Sequence, residues 1–477
     1  MCVLVILHTD TYNIKVYYYL AIFANFFKKV ICMTKTVEPM TSGSIWKRIT
    51  LFALPIFIGN LFQQMYNAVD SLIVGNFLGS SALAAVSSSG SLIFMMIGFF
   101  SGISIGASVI VARFFGAQDK ENVHTAVHTT VAFGIVAGIL MTIIGMSLSP
   151  QILKLMGTPE VVMPESVTYL KIYFAGSVGF IMYNIFVGIL QAVGDSRHPL
   201  YYLIASSIIN LVLDIVFIAF IHTGVGGAAL ATVISQFVSA GLCMIQLMRT
   251  KDCYHLQLSK IHFDKKILKQ IFTIGLPSGV QNSITAFANL VVQSHINSFG
   301  EMAMAGCGAY SKIEGFAFLP ITSFTMALTT FVSQNLGAKQ YERTKKGAKF
   351  GILATVILAQ TIGIIVFIFV PQMIAAFDST PEVINYGIVK GKTAALFFFF
   401  LAYSHSIAAI MRGAGRSIVP MVVMMTFWCV VRVTFLTITI PLTHSINMVF
   451  AVYPLTWALS SIAFFIYYKK ADWMRRN

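Results

Sequence analysis

Apolar residues run along this chain in stretches of about twenty or more, separated by short turns of Gly, Pro, Ser and basic residues. That is the pattern of membrane-crossing helices; a membrane barrel would alternate apolar and polar positions instead. It predicts spans at roughly 51–76, 82–112, 123–148, 165–191, 199–220 and 225–248, then 270–297, 303–334, 347–370, 383–411, 418–440 and 446–468. The first forty residues stand apart. Their apolar run "VYYYLAIFANFF" is about a dozen residues, too short to span, and the following "FFKKVICMTK" is no small-residue cleavage site. Residues 1–39 are therefore read as an atypical leader from an overlong start, with an interfacial helix as the alternative.

Composition agrees with the pattern: of 477 residues 57% are hydrophobic and 10% charged, and mean hydropathy is +0.81. The formal charge of +15 suggests nucleic acid until the basic residues are placed. Most fall in loops on the side of the two termini, and among the opposite loops only Lys154, near Pro150, breaks the pattern. By the positive-inside rule both termini are cytoplasmic in a multi-pass cell-membrane protein, and the charge is a topology signal. The six cysteines form no CxxC pair, hence neither a disulfide framework nor a zinc site.

The chain repeats itself. "VARFFGAQDKE" answers "VSQNLGAKQYE", "GTPEVV" answers "STPEVI", and "ILQAVGDSRHPL" answers "IMRGAGRSIVPM", at offsets of about 221, with Pro55 and Pro277 opening the two halves. Six spans is an even number, so the halves share one membrane orientation and are related by a pseudo-twofold along the membrane normal. The expected architecture is all-α and polytopic: twelve transmembrane helices in two parallel-repeat six-helix bundles facing a central cleft. Residues 40–248 form the first bundle, 249–269 a cytoplasmic linker, 270–468 the second bundle and 469–477 a tail.

Two such bundles suit alternating access, which needs an energy source. "GIVKGKT" at 387–393 has three residues between its glycines where a nucleotide loop has four, and Lys392 reads as a lysine snorkelling at the outer interface. Coupling to an ion gradient is the economical alternative. A carboxylate at the centre of a span costs roughly 2.5–3.5 kcal/mol on insertion scales, so it points to function. Asp70 lies in span one and Asp214 in span five, with Asn210 one turn before Asp214 and Thr232 in span six. These oxygens suit a small cation, or a carboxylate whose proton affinity burial can raise.

Other features read more plainly. Gly98, Gly102 and Gly106 make a small-residue face for close helix packing. His124 and His128 read as a solvated cytoplasmic face. Lys312 and Glu314 read as a local pair, and Arg432 as the only basic residue deep in a span. Gln63, Tyr66, Asn67, Asn184, Gln281 and Asn282 are polar groups that could line the cleft. At the repeat offset Asp70, Asn210 and Asp214 fall on Val291, Val431 and Phe435, so the second bundle is expected to have lost the ionisable site.

"MYNAVDSLIVGNFLG", "ARFFGAQ", "GDSRHP", "NLVLD" and "GAALAT", on a six-plus-six plan, resemble the multidrug and toxic compound extrusion family from Met40 to about Asn477. The resemblance implies a cation-coupled antiporter, driven by H⁺ or Na⁺ and without other cofactor, that exports amphipathic, often cationic, compounds as a monomer. It implies a coupling site of Asp70, Asn210, Asp214 and Thr232 with the backbone carbonyl of Ala228. A flippase for lipid-linked saccharides is the nearest rival, and would call for more basic residues in the cleft. A membrane receptor or intramembrane enzyme is the rival of another class; no nucleophile with its base and no metal cluster supports the enzyme.

Overall fold

The computed structural model describes residues 39–155 and 158–474, so the leader lies outside the described residues except for its last residue. Among the described residues regular structure is entirely helical. A helical trace from Ile45 to Gly116 is broken at Gly79, whose φ of 87° is open to glycine and costly for other residues. The break divides α1 (Ile45–Gly79) from α2 (80–116). Then come α3 (Lys120–Leu155), α4 (Met163–Ala175 plus Ser177–Val193), α5 (Arg197–Phe220) and α6 (Val225–Arg249). The second set is α7 (Lys265–Asn297), α8 (Glu301–Gly337), α9 (Tyr341–Ala375), α10 (Pro381–Ala395 plus Phe398–Gly413), α11 (Ile418–Thr443) and α12 (Ile446–Lys470).

Nine of these helices are long and apolar enough to cross a membrane, and the two bent helices bring the number to eleven. The twelfth, α7, is as long but carries Gln281, Asn282, Ser283, Thr285 and Gln293. The apolar runs of spans four and ten are continuous in sequence, yet α4 bends by 49° at Gly176 and α10 by 54° at Leu396–Phe397. At Gly176 a Cβ would sit 2.5 Å from Val233 of α6, so the missing side chain lets α6 pack against the bend.

The repeat is carried into three dimensions. Val225–Arg249 and Ile446–Lys470 have the same length, displaced by 221 residues, and Arg197 and Ile418 open α5 and α11 at the same displacement. Both α5 and α11 widen from α to π geometry, at Ile215–Phe220 and Met425–Val431. Such widenings concentrate at functional sites. Asp214 directly precedes the first, and Arg432 directly follows the second.

The halves meet along the side that carries the termini and the 250–264 linker. Ile49, Phe52, Ala53 and Ile56 of α1 share an apolar core with Ala327, Leu328 and Phe331 of α8. The glycine face of α2 lies on α7: a Cβ at Gly102 would fall 2.1 Å from the nitrogen of Gly279, and one at Gly106 2.5 Å from that of Gly275. The small-residue stripe is thus a packing face, and what it packs is the seam between the bundles. Above Gly98 on α2 and Gly315 on α8, no glycine of the described residues touches the opposite bundle.

The linker is also docked. His128 is fully buried: Nδ1 lies 2.7 Å from the carbonyl of His124, and Nε2 accepts from the amide of Gln257 at 3.0 Å. The solvated face read from sequence therefore does not hold for His128, because the linker folds back and covers it.

Candidate functional site: a carboxylate pair in the first bundle

Asp70 enters from the C-terminal half of α1, and Asp214 from the last regular turn of α5. The sequence places them 144 residues apart, and the fold brings their carboxyls within hydrogen-bonding reach of one another. Asp214 is fully buried, and neither of its carboxyl oxygens has a hydrogen-bond donor; Oδ1 of Asp70 also lacks one. Among the described residues no basic side chain forms an ion pair with either. Asn210, one turn earlier on α5 and 2% exposed, leaves its Nδ2 without an acceptor. Buried polar atoms nearly always have partners, so this concentration of orphans marks a place where something else binds.

The other residues of the set are placed as follows. Thr232 Oγ1 donates to the carbonyl of Ala228 at 3.1 Å, so the two form one polar step on α6. Tyr66 lies within electrostatic range of both aspartates, with Gln63 one turn before it on the same helix. Asn67 is exposed, and its carbonyl accepts from Ser71 at 2.9 Å. Asn184 turns back to the carbonyl of Phe180 on its own helix at 2.9 Å. Asn282 donates across the seam to the carbonyl of Gly98 at 3.1 Å, and Gln281 Nε2 donates to Met424 Sδ at 2.9 Å. The structure thus gathers Gln63, Tyr66, Asp70 and Asp214, and sets Asn184, Gln281 and Asn282 among packing contacts.

Sequence reading missed the aromatic wall of this site. Tyr169 and Tyr173 of α4 are stacked with centroids 6.3 Å apart, and Tyr169 is buried within electrostatic range of Tyr66, Asp70 and Asp214. The available signal was their spacing of four in "TYLKIYFAG", which puts both rings on one helix face.

The second bundle has apolar residues at the repeat positions of Asp70, Asn210 and Asp214, but it holds buried charge at other positions. Lys390 is 5% and Arg432 2% exposed, and Glu314 lies within electrostatic range of both. Lys312 instead lies over the ring of Phe377 at 5.7 Å. The expected Lys312–Glu314 pair does not form because residues two apart point to opposite sides of a helix. Arg432 is likewise not the only basic residue deep in a span.

Two six-helix bundles related by a membrane-normal pseudo-twofold, with unpaired carboxylates at membrane depth, define a secondary-transporter scaffold. The MatE family model matches residues 55–216 and 277–438, and the chain belongs to this family, the multidrug and toxic compound extrusion transporters. It is 29% identical over 459 residues to the probable multidrug resistance protein YoeA of Bacillus subtilis (strain 168), covering 92% of this chain and 97% of that one. It is 27% identical over 384 residues to the probable multidrug resistance protein NorM of Thermotoga maritima, covering 80% and 82%. Among solved structures, a multidrug resistance MATE family transporter in an outward-facing conformation superposes with TM-score 0.86 at 22% identity, over 93% of this chain and 100% of that one. A MATE structure in complex with MaL6 does so with TM-score 0.85 at 23% identity, over 91% and 98%. The chain is thus a multi-pass membrane transporter of small molecules, not an enzyme.

Proposed function

We propose that the protein is a cation-coupled antiporter of the cell membrane that exports amphipathic and cationic compounds, with Asp70 and Asp214 as the coupling pair. The observation that carries this reading is the unpaired, partly donorless carboxylate pair in an otherwise apolar bundle. Two unit charges about 4 Å apart repel by about 4 kcal/mol at an effective dielectric of about 20, so the pair is stable only with a proton or a bound cation. A proton would sit on one carboxyl and bridge to the other. A sodium ion would take oxygens from both aspartates, with the Thr232 hydroxyl and the Ala228 carbonyl on the neighbouring helix as further donors. Either occupant relieves the repulsion between α1 and α5, and that difference can bias the packing of the bundle.

With both termini cytoplasmic, the closed seam lies on the cytoplasmic side and the cleft opens outward. Cation entry from outside would then reset the transporter, and compound binding from inside would follow. The test is uptake into inside-out proteoliposomes under an imposed pH or sodium gradient. Export coupled at this pair requires that one of the two gradients drives accumulation, and accumulation that ignores both contradicts it.

A further inference from the structure

The charge cluster of the second bundle stands where the first bundle has its own site. At the repeat displacement Tyr169 falls on Lys390 and Thr232 on Tyr453, and Tyr453 is the centre of the second cluster. Its ring centroid lies 4.6 Å from the guanidinium carbon of Arg432 and 5.9 Å from Nζ of Lys390. Trp428 also faces Arg432, at 5.6 Å. Hence the same level of the two bundles is acidic on one side and basic on the other.

Neither cation is in a direct ion pair, although Glu314 lies within electrostatic range of both. Among the described residues no carboxylate lies within ion-pair distance of Lys390 or Arg432. Lys390 donates to Ser311 Oγ at 3.1 Å and approaches the carbonyl of Cys307 at 3.4 Å, and Arg432 donates to Thr456 Oγ1 at 2.9 Å. Two buried donors remain over: Nε of Arg432 and the hydroxyl of Tyr310, the latter on a fully buried side chain beside Lys390. Unused donors around two unpaired cations are a receptor for an anionic group. Ser311, the hydrogen-bond partner of Lys390, is exposed, and one turn later on the same helix a Cβ at Gly315 would lie 3.5 Å from Gln64 Nε2 of α1 in the opposite bundle.

We infer that Lys390, Arg432 and Tyr310 bind a carboxylate of the transported compound, so that the preferred substrates are amphipathic zwitterions, with the ammonium end toward Asp70 and Asp214. This rests on the export reading and narrows its substrate class. Glu314, near both cations, excludes a second negative charge and sets the preference at one carboxylate.

Binding of 4-(piperazin-1-yl)benzoic acid and of its ethyl ester to the purified full chain in nanodiscs, read by equilibrium dialysis, tests this without relying on transport. The acid is expected to bind about tenfold more tightly than the ester, the scale of a charge-assisted hydrogen bond. That ratio should fall to near one in Arg432→Gln and in Lys390→Gln and persist in part in Arg432→Lys, with unchanged size-exclusion profiles showing that the variants fold. A ratio near one in the native protein, or a ratio untouched in both Gln variants, overturns the inference. A ratio that appears only when chloride is replaced by gluconate overturns it too, since the site would then serve a free halide. If the acid preference holds while no gradient drives transport, the export reading fails and the binding site stands.

Discussion

Arg113 and Gln334 occupy equivalent positions of the two repeats, and each donates to a backbone carbonyl of the opposite bundle: Arg113 Nη2 to Ala414 at 2.8 Å, Gln334 Nε2 to Ala192 at 2.7 Å. The same pair flanks the crossing point of the bundles, where a Cβ at Gly116 would lie 2.0 Å from the Gln334 carbonyl and one at Gly337 2.0 Å from that of Arg113. Gln334 also accepts from the amide of Met40 at 2.8 Å, tying the entry segment of α1 to the seam. The closed side is therefore held by pseudo-symmetric polar contacts around backbones in direct touch.

Removing those contacts should loosen the seam. Arg113→Ala and Gln334→Ala are each expected to cost about 1–3 kcal/mol, since each leaves a carbonyl without its donor, half-buried at Ala414 and buried at Ala192. Spin-label distances across the closed side should show a larger open fraction in either variant. An unchanged distance distribution in both would mean that the apolar contacts alone hold the seam.

A larger residue at Gly102 acts on the same seam from mid-membrane. Its Cβ would meet the backbone of Gly279, which cannot rotate away as a side chain could. Gly102→Leu should push α2 from α7, lower the thermal midpoint by several degrees and reduce transport while the protein stays in the membrane. A thermal midpoint equal to that of the native protein would contradict the close approach.

Linker docking rests on His128. His128→Ala removes contacts to the backbone of His124 and Gln257, with an expected cost of about 1–3 kcal/mol. Limited trypsin cleavage at Lys251, Lys260 or Lys265 should become faster. Equal cleavage rates would show that the linker is held by other contacts, such as Asp264 N to Thr129 Oγ1 at 3.1 Å.

The parts of this protein that were legible in sequence are those that repeat or that violate bilayer chemistry. Twelve apolar runs and recurrent motifs at one displacement announced the helical two-bundle class, and an aspartate in each of two apolar spans announced Asp70 and Asp214. The second cluster was hidden by local resemblance. Lys390 stands two residues from Lys392 in "GIVKGKT", where only Lys392 was read, as an interfacial lysine; residues two apart face opposite sides of a helix, so Lys390 points inward. The bends in α4 and α10 left no mark in hydropathy, because bending changes direction and not composition. The tyrosine wall was written in a spacing of four that any packed helix could also show.

The most direct test of the account is the movement of the coupling cation itself. In proteoliposomes without an imposed gradient, adding a transported amine on one side should drive H⁺ or Na⁺ through the native protein in the opposite direction, toward the side of addition, read with a pH-sensitive or sodium-sensitive dye. In Asp70→Asn/Asp214→Asn the amine should evoke no cation movement although the protein is inserted. A cation flux of native size in that double variant would contradict the assignment of coupling to the first bundle.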